Sequence, residues 1–112
     1  MKRWKRIELS LRVSASASSL EFHVEEDTGE AWAKVWGSDD RCIKIVFDDC
    51  LAGMLGPGSM GPGFWEWEGA SDFRAMVEGP WGKVPDRYRH FAIGGHDSFI
   101  EVLAADFRVE TC

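Results

Sequence analysis

The feature that most limits what this chain can fold into is a two-residue rhythm of apolar side chains. Ile7, Leu9, Leu11 and Val13 alternate with Glu8, Ser10 and Arg12, and Leu20, Phe22 and Val24 alternate with Glu21, His23 and Glu25. Successive side chains of a strand point to opposite faces, so this rhythm marks strands with one face on a core and the other in water. Ala31 to Trp36 and Arg41 to Phe47 continue as two more strands, joined by the short loop Gly37-Ser38-Asp39-Asp40. Short loops favour antiparallel neighbours. The chain up to Phe47 therefore predicts a four-stranded antiparallel meander.

The pattern then changes. Asp48 suits a helix N-cap, Cys50 to Leu55 fill a turn and a half, and Gly56 and Pro57 end it, which predicts a short helix. Residues 56–63 hold Gly56-Pro57-Gly58 and Gly61-Pro62-Gly63, a density of breakers that reads as a loop. Phe64 to Glu68 resumes as a strand. Ser71 to Val77 reads as a capped helix ended by Gly79, with a strand as the alternative. A further loop covers Gly79 to Pro85. Arg87 to Ile93 and Ser98 to Ala104 form a hairpin around Gly94-Gly95-His96-Asp97, where the glycines are expected to take positive φ. Phe107 to Glu110 extends the sheet edge. The expected fold is mainly β, an antiparallel β-sandwich or partly closed barrel with one or two short helices, and α+β is the alternative. Residues 1–112 make a single domain.

Charge and cysteines narrow the function. Nineteen acidic residues against 13 basic ones give a formal charge of −6, the wrong sign for a nucleic-acid surface. The basic start Met1-Lys2-Arg3-Trp4-Lys5-Arg6 reads as a solvated arm, or as a contact for an acidic partner. It does not read as an export signal, because Glu8 and Arg12 interrupt the apolar run that follows. No segment approaches the ~20 apolar residues of a membrane span. Cys42, Cys50 and Cys112 are odd in number and form no C-x-x-C pair. They read as reduced thiols of a cytoplasmic protein, and nothing marks one of them as catalytic.

Six tryptophans are the second strong feature: Trp4, Trp32, Trp36, Trp65, Trp67 and Trp81. A domain of 112 residues has few interior sites for so many large rings. Some should line a groove or a partner surface. Candidate binding residues are Trp65, Trp67 and Trp81, with Met60 in the 56–63 loop closing over them, Arg89 as an interface anchor, and His96 at the hairpin tip. In Trp65-Glu66-Trp67-Glu68, both rings face one way and both carboxylates the other.

Other constellations carry less. His96-Asp97 resembles a general-base pair, but Asp97 suits the turn backbone better. Glu21, His23 and Glu25 share a strand face, too far spread in line to converge on one ion. His90 can face either side of its strand. Asp39-Asp40 and Asp48-Asp49 match no calcium loop. The prolines among the glycines of 56–63 remove the N–H groups that a phosphate cradle needs. No metal or cofactor is expected. The first expectation is a non-catalytic interaction module, homodimeric, whose acidic surface favours a basic protein or a cationic small molecule. The alternatives are a pocket for a sugar or a cationic ligand, and an enzyme using His96, Asp97 or Glu66.

Overall fold

Seven strands and one helix follow one another along the chain in the computed structural model, which describes residues 4–9, 20–25, 27–37, 41–58, 61–95 and 97–112 and, of residues 80 and 81, the backbone alone. They are β1 (Trp4–Arg6), β2 (Glu21–Glu25), β3 (Glu30–Trp36), β4 (Cys42–Pro57), β5 (Gly63–Trp67), α1 (Asp72–Trp81), β6 (Arg89–Gly94) and β7 (Ser98–Thr111). The strands make one antiparallel sheet in the order β1-β5-β6-β7-β4-β3-β2. It is not closed into a barrel, since β1 and β2 remain its two edges. The mainly β expectation holds.

The spine of the sheet is the pairing of β4 with β7, 16 and 14 residues long. The short helix predicted from Asp48 does not form; its residues continue β4. Asp49 takes a positive φ of 52° and the register slips between Cys50 and Ala52, so Leu51 is an extra residue opposite β7. This is a β-bulge, which bends a strand and raises its twist. The Asp49 carboxylate caps no helix and accepts from the Tyr88 hydroxyl at 3.2 Å. Pairing along β7 recovers the backbone bonds that the breakers put at risk. Gly53 has a separate role, because a Cβ there would lie 2.4 Å from the Phe22 ring.

The bend brings the two ends of the sheet face to face. Ala31, Ala33, Val35, Ile43, Ile45 and Phe47 from one end share a core with Phe64, Phe91, Ile93, Ile100 and Val102 from the other. Phe47 meets Phe64 and Phe91 at centroid distances of 6.2 and 5.6 Å. Each large side chain removed from water contributes about 1.5–3 kcal/mol. Arg89 closes one rim of this core. Its guanidinium lies 4.9 Å from the Phe91 ring centroid and forks onto Glu66 at 2.8 and 2.9 Å.

Several local expectations are corrected by the pairing. Of the predicted N-terminal arm, Trp4–Arg6 is a strand paired with β5, and residues 1–3 lie outside the described residues. Of the predicted first strand of the meander, Ile7 to Leu9 follow β1 without forming a strand, and the rest of it, with the connector up to residue 19, lies outside the described residues. β2, β3 and β4 do form a meander. The stretch around Phe107 is no edge, since β7 lies between β6 and β4. Cys42 and Cys112, read as separate thiols, are joined in a disulfide that ties the end of β7 to the start of β4. Cys50 is free, and burial pushes its thiol up to about 11, which makes it a poor nucleophile.

The helix forms where Ser71 caps it. The Ser71 hydroxyl accepts from the Arg74 N–H at 3.1 Å, and α1 runs past Gly79 to end at Gly82, which has a φ of 80°. Phe73 and Val77 pack down onto Val84, Tyr88 and Leu103, a second small core on the outer face of the sheet.

Candidate functional site

Register alone assembles the candidate site. Trp67 of β5 lies opposite Trp4 of β1 on one side and His90 of β6 on the other. Directly paired residues project to the same face, so Trp4, Trp67 and His90 form a row beneath α1. Glu101 of β7 lies opposite Ala92 and Met54 in the next row. The start of α1 stands over these rows and leaves a cleft of about 690 Å³, walled by Trp4, Trp67, Phe73 and Met76 and floored by His90 and Glu101.

The walls are fixed by specific contacts. The indole N–H of Trp67 donates to the Ala70 carbonyl at 2.8 Å. Trp4 meets Trp67 edge to face at 4.9 Å and meets the His90 ring at 5.2 Å. Phe73 lies against the other part of the His90 ring, also at 5.2 Å. The two edge-to-face contacts of Trp4 each contribute about 0.5–1.5 kcal/mol beyond the area they bury.

The floor is electrostatically unusual. Among the described residues, His90 is the one buried polar or charged side chain, 2% exposed. Its Nε2 lies 3.1 Å from Glu101 Oε1. A carboxylate at that distance favours imidazolium, but burial favours the neutral ring more strongly, and the nearby Arg74 guanidinium adds to it. The imidazole is lowered to about 4. The ring is therefore neutral at pH 7, with Nε2–H donating to Glu101. Nδ1 is left as an acceptor without a partner, which costs about 1–3 kcal/mol of unrecovered desolvation. Burial raises the carboxyl of Glu101. With Nδ1 closed off from water, and Trp4 and Phe73 packed on its ring, His90 is badly placed as a proton acceptor. It is well placed to hold the Glu101 carboxylate.

The residues singled out in the sequence are dispersed by the fold. Trp67 is a wall of the cleft. Trp65 shares its face but lies further along β5, against the Arg6 guanidinium at 5.8 Å. Arg89 points to the opposite face of the sheet, into the pair with Glu66. The rings and acids of 65–67 do face opposite ways, but Glu66 is paired and not freely solvated. Met60 and His96, and the side chain of Trp81, lie outside the described residues. His23 is bonded to Glu25 at 2.8 Å and stacks on Trp32. No group of three or more His, Cys, Asp or Glu among the described residues is placed to hold a metal ion.

Sequence reasoning missed Trp4, His90, Glu101 and Met54. The available signal was parity. Phe91 and Ile93 claim the core, so His90 and Ala92 must share the other face, and an amphipathic helix needs a face to cover.

A second cleft of about 590 Å³ lies on the far side of Trp67 and His90. Several of its charged groups are engaged in the framework: Arg74 donates to the Tyr88 carbonyl, Glu78 accepts from the Val84 N–H at 2.9 Å, and Glu66 pairs with Arg89. No protein family profile matches the chain, and neither a curated protein nor a solved structure is similar enough to match it.

Proposed function

We propose that this protein is a non-catalytic binding protein that takes a small molecule in the cleft between α1 and the sheet. The observation that carries this reading is the placement of the buried His90 against the half-buried Glu101. Together they form the floor of an aromatic-walled cleft, where a protein built for stability alone would put apolar side chains. A mostly apolar concavity with a few converging polar groups is the usual form of a small-molecule site.

The compartment belongs to the same reading. Among the described residues, no helix is long and apolar enough to cross a membrane. Disulfides such as Cys42–Cys112 persist in oxidising surroundings and are rare in the cytosol, which counts against the cytoplasmic expectation. The expected homodimer is a separate proposal. Its nearest support is the open β2 edge, although Glu21, His23 and Glu25 there are the kind of charged residues that discourage edge pairing.

The test is a fragment screen by heteronuclear NMR on the full chain. Ligands should shift the amides of residues 67–76, 90 and 101 together. Ala75→Phe, at an exposed position lining the cleft, should abolish those shifts without lowering the urea midpoint. A screen in which no fragment moves this set of amides would refute the reading.

A further inference from the structure

We propose that the ligand of this cleft is a small organic cation, an ammonium or amidinium group carried on a flat apolar body, with its N–H groups on the Glu101 carboxylate. The proposal rests on the cleft being a binding site and names the chemistry of what binds.

Three observations converge on that chemistry. The first is the charge of the lining. Glu101 and Asp72 are both there, and no Lys or Arg is among the described lining residues. Among the described residues, an anion would meet two carboxylates and no lining counter-charge. The second is the state of the floor. The Glu101 side chain is 18% exposed, so it is largely stripped of water yet open to the cleft. A desolvated carboxylate gains more from a bound cation than a hydrated one, because less water must be displaced and the local screening is weaker. His90 holds that carboxylate through Nε2–H and adds no positive charge of its own, being neutral. It is a positioning residue. The third is the walls. Trp67 is pinned by its bond to Ala70, and Trp4 and Phe73 complete an aromatic enclosure. Aromatic faces attract cations electrostatically and also accept a flat apolar body.

One cation works against this arrangement. Arg74 lies close enough to His90 to oppose its protonation. Its guanidinium is turned to the Tyr88 carbonyl and lines the second cleft, not this one. The seat for a ligand cation is therefore Glu101, and not the His90 ring. The formal charge of −6 for the whole chain acts in the same direction.

The test uses three probes of one shape on the full chain at pH 7: benzamidinium, neutral benzamide and anionic benzoate, followed by tryptophan fluorescence and calorimetry. Benzamidinium should bind saturably, benzamide about tenfold more weakly, and benzoate not at all. Glu101→Gln should reduce benzamidinium to the level of benzamide and leave benzamide unchanged. Asp72→Asn, at an exposed position, should cost about two- to threefold for benzamidinium alone, and it decides the matter if Glu101→Gln does not fold. Equal binding of benzamidinium and benzamide, or indifference of benzamidinium to both substitutions, would overturn the cation proposal and leave the cleft reading standing. If no probe binds while the fragment screen finds other cleft ligands, the cation proposal again falls alone. If no probe binds and the screen is empty, both fall.

Discussion

Acidification should destabilise this protein through His90, and the size of the effect follows from its burial. In the folded chain the imidazole is lowered to about 4, because it is enclosed by Trp4 and Phe73 and lies near Arg74. In the unfolded chain it titrates near ~6.5. Between those two values the unfolded chain takes up a proton that the folded chain refuses. Stability contributed by the neutral ring is therefore complete above about pH 7 and is lost as pH falls toward 4. The linkage relation gives a loss of about 2 kcal/mol between pH 7 and pH 5, rising to about 3 kcal/mol at pH 4. Glu101 acts in the opposite sense. Burial raises its carboxyl, so the folded state binds that proton more readily than the unfolded state and gains stability on acidification. A His90→Gln comparison separates the two, since the amide can still donate to Glu101 but does not titrate. Urea denaturation at pH 7 and pH 5 should show the parent chain losing about 2 kcal/mol more than the variant. NMR of the His90 ring should show no titration down to about pH 5. Equal losses in the two proteins, or a His90 midpoint at or above the free-histidine value, would refute the argument.

Two further outcomes test the framework that holds the cleft. Reducing the Cys42–Cys112 disulfide, which spans a sequence separation of 70, should lower stability by about 2–4 kcal/mol; an unchanged urea midpoint in dithiothreitol would show that the tie contributes nothing. Gly53→Ala pushes a methyl group into the Phe22 ring and should cost about 1–3 kcal/mol, measured by thermal denaturation, whereas an unaltered midpoint would mean that the ring swings aside freely.

Much of the β-structure was legible because each strand carries its own evidence. The alternations at Phe22–Val24, Ala31–Trp36 and Phe64–Trp67 each require one buried face, and that requirement is local. Ser71 announced its helix for the same reason, since a cap needs only the backbone N–H three residues on. The second half of β4 was illegible because Gly53, Gly56 and Pro57 are breakers in isolation. They are held extended by pairing with Ser98–Leu103 of β7, and Gly53 is required by a ring 31 positions earlier in the chain, Phe22. The thiols misled in a similar way, because spacing says nothing about which strand ends meet.

The candidate site divides along the same line. By itself the sequence determined that rings and acids of 65–67 part to opposite faces, that the chain carries a formal charge of −6 and that six indoles are a large load for so short a chain. These are consequences of strand pleat and composition. Only the tertiary structure decided that Trp4 closes onto Trp67, that His90 turns away from the core and that Glu101 meets it. Those residues come from the first, fifth, sixth and seventh strands of the chain. Cross-strand register is a long-range choice, settled by how the bent sheet buries its apolar face and by where the helix lands on the other.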